Sequence, residues 1–309
     1  MIVVAGEALI DLVPAGPAAE DELPALLPKR GGGPYNTAVA LGRLGSPVAF
    51  CSRLSTDHFG TALLGGLAAD GVDTSLVQRG DEPTTLAVAH VAADGSASYS
   101  FHVEGAADRL FALPAALPEA TRAVSFGTCS LVLEPGASAY EALMRRESER
   151  GTFTALDPNI RAGLIADPDA YRDRFRAWLP YVSLLKLSEE DAVWLARSDD
   201  LVAAAKGWLG LGPSAVVLTR GGDGLTALTR ASGRIDVPGV PVEVVDTIGA
   251  GDTVNAALLH RLDRHGALTG PGAELGAEQW RDVLGYAARA AALTCSRAGA
   301  EPPYVGELG

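Results

Sequence analysis

Lysine is scarce in this 309-residue chain: Lys29, Lys186 and Lys206 are the only three, beside 22 arginines. Against them stand 38 acidic residues, for a formal net charge of −13. No basic stripe is visible, so nucleic acid is excluded as a partner. Cysteine is equally sparse. Cys51, Cys129 and Cys295 are scattered, without CxxC spacing, and are expected as small buried residues, not as a disulfide frame or metal site. The five histidines (His58, His90, His102, His260, His265) lack zinc spacing, although His102 is a candidate ligand contact. Long apolar runs are missing too. The longest uncharged stretch, Gly207 to Thr219, has 13 residues and contains Pro213, too short and broken for a bilayer span. The opening MIVVAGEALIDLV has no basic n-region and meets Glu7 and Asp11 early. A cytoplasmic protein with no membrane partner is expected. No lysine follows a glycine, which excludes a Walker A loop, and neither G-x-G-x-x-G nor G-x-S-x-G occurs.

What the chain does have is glycine, 36 residues without period, and 48% hydrophobic residues, ample for a packed core. The length fits two domains of about 150 residues, or one large α/β unit with an appendage. Apolar strand candidates (Ile2–Ala5, Pro47–Ser52, Ala123–Phe126, Thr152–Leu156, Val182–Lys186, Ala215–Thr219) alternate with helix-period segments. Those segments are Tyr35–Leu44, Phe59–Asp70, Ala137–Arg150, Tyr171–Leu179, Glu189–Ala196, Asp200–Leu209 and Ala277–Arg297. The pattern predicts an α/β fold with a mostly parallel sheet covered on both faces. Thr85–Ala92 and Ala97–Val103 break the alternation and read as a hairpin turning at Asp94-Gly95, a small sheet to which Leu12–Pro28 contributes.

Four motifs carry candidate chemistry. Asp246-Thr247-Ile248-Gly249-Ala250-Gly251-Asp252 precedes a helical stretch, Thr253–His265. A Gly-Ala-Gly turn opening a helix aims backbone N–H groups and the positive end of the dipole at an anion, with Asp252 where that anion reacts. The plainer alternative is an Asp N-cap after a glycine turn. Gly31-Gly32-Gly33-Pro34-Tyr35-Asn36 puts backbone and an amide at another helix start, suited to a polyhydroxylated ligand or simply a flexible loop. Thr219-Arg220-Gly221-Gly222-Asp223-Gly224 follows a strand and either cradles a nucleotide or turns a hairpin into Leu225–Thr229. Glu7 and Asp11 follow the first strand, on the edge where open α/β sheets bind ligands, or in a solvated acidic loop.

In order and spacing these motifs resemble the two signatures of the ribokinase-like (PfkB) carbohydrate kinases, across essentially the whole chain. GEALIDLVP, EPTTLAV, Glu104–Asp108, DPNIR at Asp157–Arg161 and ALTCSRAGAEPP look most like bacterial fructokinases. The resemblance implies a three-layer sandwich, one domain over residues 1–309, with a small β lid formed by about 12–30 and 85–105. It implies Asp252 as catalytic base with Gly249, Ala250 and Gly251 as anion hole. Asp11, Gly32, Gly33, Asn36 and Arg161 would bind the monosaccharide, and Thr219, Gly221, Gly222 and Gly224 would line the ATP site. The family's Asn-x-x-Glu element, which helps organise Mg²⁺, stands here as Ser188-Glu189-Glu190-Asp191, shorter donors suited to water-mediated contact. Asp246 and Ile248 fall on positions for a monovalent cation such as K⁺, which carbonyls of Thr294, Arg297 and Gly299 could close. Pro303 stands where some relatives offer a hydroxyl and has no side-chain oxygen.

The expected reaction is ATP-dependent phosphorylation of D-fructose to fructose 6-phosphate. A 2-keto-3-deoxygluconate kinase is the nearest alternative, since Arg161 suits a carboxylate. A non-catalytic sugar or nucleotide sensor is the alternative from another class. Sheet edges in the lid make a homodimer a further expectation.

Overall fold

The computed structural model describes residues 1–16, 23–91, 97–270 and 274–309. The Asp94-Gly95 turn expected from the sequence lies outside the described residues, as do parts of the Pro14–Ala19 and Gly266–Gly276 loops. Nine strands form the main sheet: β1 (Ile2–Ala5), β4 (Val48–Ser55), β5 (Val77–Gly80), β8 (Ala123–Gly127), β9 (Phe153–Asp157), β10 (Leu184–Ser188), β11 (Ala215–Thr219), β12 (Leu225–Thr229) and β13 (Gly233–Val237). Their order is β13-β12-β11-β10-β9-β8-β1-β4-β5, with only β12 and β13 joined by antiparallel ladders. Strand residues alternate strictly between the two faces. Ile2 and Val4 join one apolar cluster, Val3 and Ala5 the other; Ala215 and Val217 divide from Val216 and Leu218 in the same way.

Each face is covered by helices with an apolar stripe. On one side lie α1 (Gly33–Arg43), α2 (His58–Ala69), α7 (Ala250–Arg264) and α8 (Ala277–Cys295). On the other lie α3 (Gly136–Glu149), α4 (Pro168–Trp178), α5 (Glu189–Ala196) and α6 (Leu201–Leu209), with Tyr140, Phe175 and Trp178 buried beneath them. This is the three-layer α/β sandwich that the alternation predicts.

A second sheet of four strands stands apart, in the order β3-β2-β6-β7. It comprises β2 (Leu9–Pro14), β3 (Leu26–Gly31), β6 (Leu86–Val91) and β7 (Ala97–His102). β6 and β7 pair antiparallel, as the hairpin pattern indicates, while β2 pairs parallel to β6 and antiparallel to β3. The contribution from the first segment thus starts at Leu9, two residues before Asp11, not at Leu12. β5 and β13 have no expectation behind them.

Helix starts separate into two kinds. Asp57, Asp167, Ser188 and Asp200 cap α2, α4, α5 and α6 through side-chain acceptors on their first-turn N–H groups. By contrast, α1 and α7 begin at Gly32 and Gly249, both at positive φ (104° and 76°), with no side-chain cap. No side chain accepts from their leading N–H groups, although Ala250 N donates to the Thr247 carbonyl at 3.3 Å.

Candidate active site

Both glycine-started helices open onto one polar cavity of about 290 Å³. Its walls come from the ends of β1 and β8, the loop after β9, the second sheet and the first turns of α1 and α7. A second cavity, about 220 Å³ and mostly apolar, lies on the far side of the α7 start. Thr247 and Gly251 line both, so the two cavities meet where α7 begins.

Asp252 sits in the first turn of α7 and is 8% exposed. Its Oδ2 accepts from Asn36 Nδ2 at 2.9 Å, which joins the starts of α1 and α7. Burial pushes its carboxyl up to about 7; the Asn36 hydrogen bond and the charge of Lys186 oppose that, while Asp157 adds to it. A base poised there is ionised over much of the neutral range yet still able to accept a proton.

The sequence-derived acceptor residues come together in the first cavity: Asp11, Gly32, Gly33, Asn36 and Arg161 line it with Gly249, Gly251 and Asp252. Desolvation raises Asp11 to about 6, with Arg161 opposing. Glycine is needed here for room. A Cβ on Gly31 would stand 2.0 Å from Asp11 Oδ2, and one on Gly33 would stand 2.6 Å from Thr128 Cγ2 and 3.1 Å from Asp252 Oδ1. Arg161 is exposed and donates to Asn159 Oδ1 at 2.7 Å.

The nucleotide candidates Thr219, Gly221, Gly222 and Gly224 line the second cavity with Ala250 and Gly251. The same residues also turn the β11–β12 hairpin, as the plainer reading of that motif has it. Opposite them stand Val240, Val242 and Val244 and the small α8 residues Ala288, Ala291 and Ala292. A slot walled by backbone and short apolar side chains suits a flat aromatic base.

Ser188 and Asp191 lie in neither cavity lining. Ser188 caps α5 by accepting from Asp191 N at 3.0 Å, and Asp191 Oδ1 accepts from Ile160 N at 2.9 Å. Among the described residues, no group of three or more His, Cys, Asp or Glu side chains could hold a metal ion. The 246–248 loop is tied to the chain end: Asp246 accepts from Ile248 N at 3.0 Å and Gly299 N at 2.8 Å. Thr294 is fully buried, its hydroxyl bonded to Thr253 Oγ1, and the Arg297 side chain pairs with Glu307. His102 is exposed and lines neither cavity, since the β6–β7 hairpin turns it outward; Tyr99 and Phe101 of the same strand face the acceptor cavity instead.

Glu7 stands where the sequence reading puts it, at the edge after the first strand, and other lining residues escape that reading. Glu7 is 2% exposed, raised by burial, and accepts from the Thr128 hydroxyl and from Ser130 N at 3.0 Å. It holds Thr128 at φ 59°, a costly conformation for a β-branched residue, against the cavity. Cys129 and Asn159 line the same wall, and Cys295 lines the apolar slot. Thr128, Cys129 and Asn159 follow parallel strands as Glu7 does, and the edge rule that marked Glu7 could have singled them out as well.

A polar cavity with a buried carboxylate, an apolar slot and an uncapped helix start between them form the layout of a phosphoryl-transfer site. The family model for "pfkB family carbohydrate kinase" matches residues 1–305. A fructokinase of Rhizobium leguminosarum bv. trifolii is 38% identical over 272 residues, 87% of this chain and 82% of its own. A fructokinase of Klebsiella pneumoniae is 34% identical, covering 85% and 84%. Among solved structures, a Xylella fastidiosa fructokinase with bound ATP superposes with a TM-score of 0.86 at 27% identity, over 99% of this chain and 96% of that one. With site geometry, family model and relatives in agreement, the chain belongs to the pfkB family of carbohydrate kinases.

Proposed function

We propose that this carbohydrate kinase transfers the γ-phosphoryl group of ATP to the 6-hydroxyl of D-fructose, giving fructose 6-phosphate and ADP. The observation that carries the reading is Asp252, a buried carboxylate facing the polar cavity at its junction with the apolar slot. The fructokinase relatives support the choice of sugar.

In this reading Asp11, Asn36 and the Gly32–Gly33 backbone hold the sugar hydroxyls, and Arg161 closes the mouth of the cavity. The primary hydroxyl is oriented by Asp252. As its oxygen bonds to the γ-phosphorus and the bond to the bridging oxygen of ADP breaks, its proton passes to Asp252. A loose transition state needs little deprotonation beforehand, so a carboxylate suffices as the base. The N–H groups from Gly249 to Asp252 stabilise charge on the transferring group. Thr219, Gly221, Gly222 and Gly224 frame the nucleotide. The second sheet, with Tyr99 and Phe101 on its cavity side, acts as a lid that excludes water.

A divalent ion such as Mg²⁺ arrives with ATP and supplies positive charge at its phosphates; Asp191, whose carboxylate already accepts from Ile160 N, fits a water-mediated contact with it, and Ser188 supports Asp191. Asp246, which accepts from Ile248 N and Gly299 N, would hold a monovalent cation such as K⁺ together with the carbonyls of Ile248, Thr294, Arg297 and Gly299. A cytoplasmic location is part of this reading. A homodimer through the second sheet is also proposed, and sedimentation showing monomer alone would remove it.

Arg161 on the cavity wall favours a second reading, 2-keto-3-deoxygluconate as acceptor. A sugar panel with coupled detection of ADP decides. Turnover with fructose is expected; turnover only with the keto-deoxy acid overturns the substrate, and binding without turnover of any sugar leaves a sensor.

A further inference from the structure

Of the three lysines, Lys29 and Lys206 are exposed and Lys186 is 4% exposed. Taking an ammonium out of water is costly, so a buried one needs partners. Its Nζ donates to Asp157 Oδ2 at 2.6 Å, and the pair is buried on both sides, with side-chain exposures of 5% and 6%. An ammonium has three N–H bonds. Asp157 is its one acceptor among the described residues, which leaves two donors without a protein partner. The other carboxylate oxygen, Asp157 Oδ1, is also buried and has no partner among the described residues.

The position of this pair is specific. Asp157 is the last residue of β9, and Lys186 is the central residue of the neighbouring strand β10. A Cβ placed on Gly251 would lie 3.2 Å from Lys186 Nζ. The ammonium therefore borders the space that Gly251 leaves open, at the residue shared by the two cavities. A core ion pair serving only to join two strands would gain little, because apolar residues of similar volume do as well or better.

On the kinase reading above, we propose that Lys186 is a further catalytic residue, donating to a non-bridging oxygen of the γ-phosphoryl group in transit, with Asp157 as the positioning residue that holds it. A tertiary contact between β10 and α7 thus supplies the cation that the chain lacks as a glycine-loop lysine. The donor acts on the γ-phosphoryl oxygens, which neither the sugar nor ADP carries, so each of these taken separately gains nothing from it.

The test compares Lys186→Met and Lys186→Met/Asp157→Leu with wild type. A lone Lys186→Met leaves Asp157 buried without a counter-charge, so thermal stability falls; the double variant removes both charges and regains it. The proposal expects kcat lower by ~10²–10³-fold in both variants, as for loss of an oxyanion donor. Fructose affinity without nucleotide should stay within about threefold, and the affinity for ADP with Mg²⁺ and aluminium fluoride should fall in parallel with kcat. Recovery of kcat with stability in the double variant would assign the pair a structural role and overturn the proposal. A crystal structure of wild type with ADP, Mg²⁺, aluminium fluoride and the sugar that turns over decides even if the variants do not fold. Nζ within hydrogen-bond distance of fluoride supports the proposal, and a separation beyond about 5 Å ends it. Absence of turnover by wild type with every sugar would instead fail the kinase reading, and that result is seen before any variant is made.

Discussion

Asn36 and Asp252 are 216 residues apart in sequence and share one hydrogen bond of 2.9 Å, made from the first turn of α1 to the first turn of α7. The bond ties together the starts of the two helices that open onto the first cavity. It also favours the ionised form of Asp252 against the desolvation that raises it. Removing the amide should therefore disturb protonation as well as geometry. In Asn36→Leu, the acid limb of the kcat/KM profile is expected to move above pH 7. A limb unchanged from wild type would show that the bond does not set the ionisation of Asp252.

Asp252→Asn should lower kcat by ~10²–10⁴-fold with little change in the sugar KM, because the amide keeps the shape of the carboxylate and cannot accept the proton. Steady-state kinetics with varied sugar at saturating MgATP reads both constants. Near-normal kcat would remove Asp252 as the base.

The same substitution has a stability consequence of opposite sign. The folded-state value for Asp252 is raised to about 7 from 3.8, so the folded protein holds this proton more tightly than the unfolded chain does. The corresponding stability is fully present below pH 3.8 and is lost as pH rises through about 7. Asp252→Asn does not titrate. Its Tm is expected to exceed that of wild type by a few degrees at pH 8 and to lose the advantage as the pH falls toward 4. Thermal melts across that range check the crossover.

Sugar capture should have an acid limit of its own. Asp11 is raised to about 6 by desolvation, and a protonated carboxyl accepts fewer hydroxyl hydrogen bonds. Direct titration with fructose should show affinity weakening as pH falls through about 6, whereas Asp11→Asn should bind weakly and without that inflection.

Gly33→Ala should act on the acceptor without requiring a forbidden backbone conformation. Its Cβ would enter the polar cavity 3.1 Å from Asp252 Oδ1 and press on Thr128. The sugar KM is expected to rise by ~10–100-fold, the scale on which small displacements near a reacting group are felt. The KM for ATP should hold. An ATP KM that rises equally would mean the disturbance reaches the second cavity.

How much of this was legible depended on whether the signal was local. β11 and α5 are found at the bounds read from sequence, since an uninterrupted apolar run and a Ser188 cap before Glu189 are sufficient markers. The GAGD turn and the glycines before Asn36 were legible for the same reason: each is a short glycine-rich segment that opens a helix. β5, with the sequence Val77-Gln78-Arg79-Gly80, exists because β4 offers it a parallel edge, and nothing in its four residues announces a strand. Lys186 was read as part of an apolar strand, because its relation to Asp157 and Gly251 arises only when β9, β10 and α7 are assembled. Val240, Val242 and Val244 were passed over likewise. Exposed valines between prolines carry no periodic signal, and their role is set by the α8 alanines opposite.

Among the described residues, Thr247 and Gly251 alone line both cavities. Apart from that junction the acceptor wall is drawn from residues 7–161 and from the start of α7, while the slot is drawn from residues 219–295. The two ligands therefore answer to largely separate stretches of the chain. Over evolutionary time, substitutions in the amino-terminal half can change which acceptor is taken while the donor slot is inherited intact. A lineage can diversify its sugars in this way without reinventing its use of nucleotide.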